Sequence, residues 1–445
     1  MSEPSEELPP GVDAGWRGLV ASFGALAAGE GAARALGFVA VALLARRLGV
    51  GAFGLVTLGV SLVSWFALVV DAGTETLNIR EVSRAPHRFR ELADPVLGLR
   101  LVLSTAAAIA FVGGAFAFAS SAADRSVLVR FAVVLPAIAL NLRWMTLGIR
   151  GARAIAIGNV FSRMLFVAGV VLLVHGKHDV FDVPWLEAVA EAGYALAIVA
   201  VVSRRFGIPR PAVDLAAWRA TLRQSFPLLV SAAARATVLV FDVFLIELLL
   251  GPSKVGYYGA ALKPVVTILG VLGLLAVSFL SAFSSAPDAA ASRLFRRTTR
   301  LVVAASLPLA IAISAASPLI VRIVYGHGYP HSVALLSILA WVIPVSALGV
   351  TYSTALIARE RQVQLMWINL ASGIFSVAAD LAAIPTFGTL GAAVVRIVTA
   401  ILGVGLMVRF ATAGGSAPSL AEVVGWSPRR LEDGHAGQRR LPRRS

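Results

Sequence analysis

Four arginines and a lysine stand inside long apolar runs: Arg34 in AAGEGAARALGFVAVALLA, Arg163 in IAIGNVFSRMLFVAGVVLL, Arg235 in LLVSAAARATVLVF, Lys263 in GYYGAALKPVVTILG and Arg396 in LGAAVVRIVTAILG. If these runs cross a bilayer, each charge costs on the order of 2.5–3.5 kcal/mol near its centre, so it is kept for a partner or for a task. The task that suits this set is capture of an anionic headgroup. Phosphate fits best, because the planar guanidinium fork meets two oxygens at once.

Acids occur in the same runs: Glu30, Asp71, Glu75, Asp242, Glu247 and Asp380. The plainer reading is that the charges neutralise one another and only fix helix packing. Glu30 and Arg34 are four apart and share a helix face, where they can pair. Arg163 and Arg235 have no acid within four residues on their own helix, so they need a partner on another helix, water or an anionic ligand. Asp242 follows Arg235 by seven residues and either holds it indirectly or binds a coupling cation; Asp380 has the same two options. Asp71 and Glu75 fall near the inner end of their run and read as helix-end structure. His175, His178, His327 and His331 fall in outward connections, where interfacial solvation is a better fit than metal binding.

The elements that must position these residues follow from composition. The 445 residues are 58% hydrophobic and 14% charged, too apolar for a soluble globular domain. The expectation is an all-α polytopic membrane protein. About 20 apolar residues cross the hydrocarbon core, which predicts twelve spans near 18–45, 53–78, 95–119, 127–149, 154–175, 184–203, 223–250, 256–283, 299–324, 332–357, 364–385 and 389–411. The start, MSEPSEELPPGVDAGWRG, lacks the basic and then apolar pattern of a signal peptide and reads as a retained tail. There is no cysteine, hence no disulfide and no thiolate metal site. The net charge of +15 would suit nucleic acid in a soluble chain, but here orientation and anionic lipid account for it and no nucleic-acid partner is expected.

Basic residues crowd the even-numbered connections: Arg80, Arg84, Arg88 and Arg90; Arg150 and Arg153; Arg204, Arg205, Arg210, Arg219 and Arg223; Arg293, Arg296, Arg297 and Arg300; Arg359 and Arg361. The odd-numbered ones hold only Arg46, Arg47, Arg125, Lys177, Lys254 and Arg322. The positive-inside rule then puts both termini in the cytoplasm, with Arg46 and Arg47 at the outer headgroups. The organisation expected is a cytoplasmic tail (1–17), a six-helix bundle (18–203), a cytoplasmic linker (204–222), a second bundle (223–411) and a basic, disordered tail (412–445).

The two bundles are copies. LARRLGVGAFG returns as LLLGPSKVGYYG, with Gly49 and Gly54 matching Gly251 and Gly256. Along the chain, Arg34 matches Arg235 ahead of these glycines, and Pro136 matches Pro344, Arg150 matches Arg359 and Asn159 matches Asn369 after them. The offset grows slowly from 201 to 210, as small insertions would make it. Six spans per copy is an even number, so the copies are parallel and related by an axis along the membrane normal. Transporters of that kind hold substrate between halves that rock. Arg34 and Arg235 are then expected to converge on the axis, and the mid-span prolines suit helices that bend.

Read in order, LARRLGVGAFGL, VVDAGTETLNIREVSR, FDVFLIELLLGPSKVGYYGAALK, the long stretch from Ile323 through Gln362, and IPTFGTLGAAVV resemble the polysaccharide biosynthesis flippases. These are the Wzx-like oligosaccharide transporters of the multidrug/oligosaccharidyl-lipid/polysaccharide (MOP) superfamily, and the resemblance covers residues 18 to 411. It implies export of a polyprenyl-diphosphate-linked oligosaccharide across the cytoplasmic membrane, driven by an H+ or Na+ gradient or by downstream consumption, with no cofactor. The implied partners are the lipid-linked oligosaccharide, membrane lipids, and polysaccharide polymerase or glycosyltransferases. Arg34, Arg235, Arg163, Arg396 and Lys263 would hold the anionic headgroup, with Glu30, Asp242 and Asp380 coupling or balancing charge. One departure is Asp380, where such proteins often carry an asparagine.

Three other classes compete. A multidrug (MATE-type) drug or cation antiporter shares the fold but calls for a carboxylate-dominated cavity. A major-facilitator transporter would carry a Gly-x-x-x-Asp-Arg loop after span two, which NIREVSRAPHRFRELADP lacks. A membrane-embedded glycosyltransferase or polymerase usually carries its acids in sizeable outward loops, whereas the longest outward connection here is the short GKHDVFDV. The expectation is a transporter and not an enzyme.

Overall fold

The computed structural model describes residues 12–84, 88–148, 151–285, 288–413, 417–420 and 423. Most of the two terminal tails, and Arg150 in its connection, lie outside the described residues. Fifteen α-helices carry the fold: α1 (Val12–Asp71), α2 (Thr74–Arg84), α3 (Phe89–Phe118), α4 (Ala122–Phe131), α5 (Val134–Ala139), α6 (Arg143–Gly148), α7 (Ala152–Leu173), α8 (Val183–Phe206), α9 (Leu215–Leu250), α10 (Pro252–Ser285), α11 (Asp288–Ala315), α12 (Ser317–Tyr325), α13 (His331–Leu339), α14 (Val342–Ala358) and α15 (Gln362–Ala413). Among the described residues, ten helical stretches are long and apolar enough to cross a membrane. Two of them, in α1 and α15, are interrupted by the non-helical Gly49 and Gly388. Each is long enough for two passes, so the set is consistent with twelve spans. The protein is a multi-pass membrane protein.

The repeat is visible in the backbone. Gly49 has φ 74° and ψ 173°, and its counterpart Gly251 has φ 83° and ψ 174°. That conformation is essentially reserved for glycine. Span four breaks after α4 at Ala132 and Val133, and span ten breaks after α13 at Ala340 and Trp341, 208 positions on. The reason is the same in both. Pro136 has no N–H for the Ala132 carbonyl and Pro344 none for that of Ala340, so each proline sits in the first turn of a new helix instead of continuing the old one.

Contacts between the copies locate the axis. A Cβ on Gly54 would overlap the Pro252 carbonyl oxygen, and a Cβ on Gly256 would overlap that of Val50. Because 50 and 54 correspond to 252 and 256, these are one contact made twice. Gly51 faces Ser253 and Gly259 faces Thr57, each its own counterpart at an offset of 202. Two equivalent residues can touch only where a two-fold axis passes. The pseudo-axis therefore runs between the second limb of α1 and the start of α10, where two backbones meet with no side chain between them.

The two adjacent arginines of the first turn serve opposite halves. Arg47 Nη1 donates to the carbonyls of Val170, Val171 and Val174 at 3.0, 2.9 and 2.6 Å, closing the end of α7. Arg46 Nε donates to the Val324 carbonyl at 2.8 Å, and its Nη2 to that of Ile323, at the end of α12. A cation at a helix C-terminus satisfies orphan carbonyls and meets the negative end of the dipole. Between α7 and α8, Lys177–Phe181 form a 3₁₀ turn. There the Asp179 carboxylate accepts the backbone N–H groups of His175 and Gly176, which hold its pKa below the usual carboxylate value.

Candidate functional site

Beneath the paired glycines lies a cavity of about 320 Å³. Phe53, Val56 and Thr57, on the limb that packs at the pseudo-axis, line part of it. Both limbs of α1 contribute, together with α7, α8 and, from the second half, α10. Its ionisable residues are Glu30, Arg34, Arg163, Glu187 and Lys263.

On α1, Arg34 Nη2 meets Glu30 Oε1 at 3.1 Å, the pairing that their spacing of four allows. The Arg34 guanidinium lies against the backbone of Gly270 on α10, in a space that any Cβ would fill. Glu30 also accepts a hydrogen bond from Asn159 Nδ2 on α7 at 2.7 Å. One turn further along α7, Arg163 pairs across to α8, its Nη1 with Glu187 Oε1 at 3.2 Å and its Nη2 with Glu191 Oε1 at 2.8 Å. Lys263 projects from α10 and makes no ion pair among the described residues. Counted with Glu191 behind Arg163, three cations face three carboxylates.

Arg396 and Arg235 are not brought into this cavity. Arg396, on α15, is buried in the second half. It donates to Asp242 Oδ2 from Nε at 3.0 Å and from Nη2 at 2.6 Å, and to the Leu239 carbonyl at 2.9 Å. Tyr258 completes the knot, its hydroxyl hydrogen-bonded to both Arg396 and Asp242. Asp242 thus serves Arg396 on a neighbouring helix and not Arg235, two turns back on its own. Asp380 is 2% exposed, accepts from Ser376 at 3.3 Å and has Oδ1 without a partner among the described residues. Arg235 is exposed on α9, away from the cavity and without an ion pair among the described residues.

Sequence reasoning passed over two groups. Glu187 and Glu191 stand one turn apart in the apolar run PWLEAVAEAGYALAIV with no cation within a turn, the complement of Arg163 with no acid nearby. Arg100, 5% exposed, bonds Thr74 Oγ1 at 3.0 Å, the Asn141 carbonyl at 3.0 Å and the Asp71 carboxylate. Asp71 also accepts the Glu75 backbone N–H at 3.1 Å, so it works as a helix-end group at the start of α2. Among the described residues no cluster of three or more His, Cys, Asp or Glu could hold a metal.

The sequence from residue 19 to residue 285 matches the family described as Polysaccharide biosynthesis protein. The chain belongs to this family. No curated protein matches it. Among solved structures, the lipid II flippase MurJ in an inward closed conformation aligns with TM-score 0.71 at 14% identity, over 92% of this family member and 92% of that chain. An inward-facing multidrug resistance MATE family transporter of the MOP superfamily aligns with TM-score 0.65 at 15% identity, over 86% and 95%. A MOP superfamily transporter from Pyrococcus furiosus, whose binding pocket is described as reversed in polarity, aligns with TM-score 0.61 at 13% identity, over 88% and 96%. At such identities the likeness is one of fold, and the fold is that of MOP transporters.

Proposed function

We propose that this protein is a flippase that carries a polyprenyl-diphosphate-linked oligosaccharide from the inner to the outer leaflet by alternating access. The observation that carries the reading is the convergence of Arg34 and Arg163 from one half and Lys263 from the other on one intramembrane cavity. Guanidinium forks with an ammonium suit a diphosphate, and the prenyl chain stays in lipid. Family membership supports a carbohydrate cargo, built by glycosyltransferases and consumed by a polymerase. The bias of basic residues supports cytoplasmic termini and an outward position for the glycine turns. On that orientation the Gly54 and Gly256 contacts join the two halves near the outer end.

The carboxylates Glu30, Glu187 and Glu191 favour a second reading, a cation or drug antiporter, because acids in a cavity suit cationic cargo. One strain separates the two. In cells lacking the native gene, Arg34→Ala and Lys263→Ala are expected to abolish surface glycan while the protein still reaches the membrane. Wild-type glycan from both variants, or cation efflux that survives both and is lost with Glu187→Gln, overturns the flippase reading in favour of the antiporter.

A further inference from the structure

Of the charged groups around the cavity, Arg163 alone is gripped by two carboxylates. Glu187 and Glu191 lie one turn apart on α8 and take the two terminal nitrogens of its guanidinium separately, at 3.2 and 2.8 Å. One cation between two anions leaves the triad at −1 when all three are ionised. The side chains are well withdrawn from solvent, Arg163 at 27% exposure, Glu187 at 14% and Glu191 at 17%. The charges facing them are Glu30 and Arg34 on α1 and Lys263 on α10. Tyr194 neighbours Glu191 on α8 and in turn faces Arg143 on α6.

A phosphate that binds Arg163 in fork geometry takes Nη2 with either Nη1 or Nε, so it competes with Glu191 and, in the first case, with Glu187 as well. It must displace at least one carboxylate, which is then left beside the other carboxylate and an arriving anion in a medium of low dielectric. A buried charge without a partner is not tolerated there; the group neutralises by taking a proton. We infer that Glu187 and Glu191 form a proton-accepting pair that trades Arg163 with the anionic ligand, so that diphosphate capture takes up a proton from water and proton release returns the arginine to its carboxylates. The inference rests on the anion-capture reading and adds to it a titrating site on α8. By reciprocity of linkage the proton tightens anion binding as much as the anion tightens proton binding. The rival fate of a displaced Glu187 is to turn to Lys263, which consumes no proton.

The test uses the full chain in detergent and dimethyl diphosphate with one methyl on each phosphorus, whose two charges do not titrate near neutral pH. Calorimetry in two buffers of different ionisation heat counts protons. The wild type should take up about one proton per anion, and its Kd should rise by up to about tenfold per pH unit where the pair titrates. The double variant Glu187→Gln with Glu191→Gln should take up none, bind more tightly than wild type at pH 8, and lose its pH dependence. Should the double variant not fold, each single variant is expected to show a smaller proton count and tighter binding at pH 8. Binding without proton uptake, or uptake unchanged by the substitutions, overturns this inference and spares the proposed function. Failure of the wild type to bind at both pH 6 and pH 8 overturns both.

Discussion

The two halves repeat their backbone and do not repeat their chemistry. At the positions of Gly49, Gly54 and the break before Pro136, the second half has Gly251, Gly256 and the break before Pro344. Yet Glu30, Arg34 and Asn159 in the first half correspond to Ser231, Arg235 and Asn369 in the second. Asn159 has a carboxylate to donate to, whereas Asn369 is 8% exposed and its Nδ2 has no partner among the described residues, as expected where serine replaces the glutamate. The first half keeps Glu30, Arg34, Arg163 and Glu187 around a cavity, with Arg100, buried, and Asp71, half-buried, paired apart from it. The second locks Arg396 and Asp242 at 6% and 3% exposure, with a tyrosine across them. The same residue types thus do different work: an ion pair with room beside it can exchange partners, and one enclosed on every side can only hold helices together.

That contrast breaks most visibly at the enclosed pair. Removing one member leaves the other charge buried, a loss of about 3–5 kcal/mol. Asp242→Ala or Arg396→Ala should therefore cut the amount of folded protein and its thermal stability sharply. Arg34→Ala, at a side chain 35% exposed, should leave stability close to wild type while abolishing glycan export. A stable Arg396→Ala protein that fails only in export would move Arg396 from the scaffold to the binding machinery.

The glycine contact sharpens the comparison from the other side. Substitutions at matched backbone positions should behave alike even though matched charges do not. Gly54→Ala and Gly256→Ala each drive a methyl into a backbone oxygen, and each should oppose the closed contact by about 1–3 kcal/mol. Because the chain has no cysteine, a disulfide between Gly51→Cys and Ser253→Cys reports that contact directly. It should form readily in the parent and poorly, to a similar extent, in both alanine variants. Unequal effects would break the pseudo-symmetry.

These outcomes mark what the sequence made legible. Span positions and the repeat follow from apolar length and from glycine and proline, whose backbone demands are local. Glu30 with Arg34 was legible because helical spacing alone makes them neighbours. Arg163 with Glu187 and Glu191, and Arg396 with Asp242, were not: each joins helices by way of tertiary packing that no spacing along the chain encodes. Arg46 and Arg47 ran against the charge bias and read as headgroup contacts, whereas their guanidinium donors go to the carbonyl ends of two helices.

At the far end of the scale, Arg88 pairs with Glu91 at 2.7 Å, a closer approach than Arg163 makes to either acid, with both side chains more than half exposed. Distance alone would rank it above either Arg163 pair and nearly level with Arg396 and Asp242 at 2.6 Å. Water screens both partners and replaces whatever is lost, so Glu91→Gln should change thermal stability by no more than about 0.5 kcal/mol, and added salt should erase even that. Removal of Asp242 should be nearly indifferent to salt, since no counter-ion reaches it. A salt-sensitive Asp242 variant would mean that water reaches the Arg396 pair, and the distinction drawn between an enclosed half and an open one would then fail.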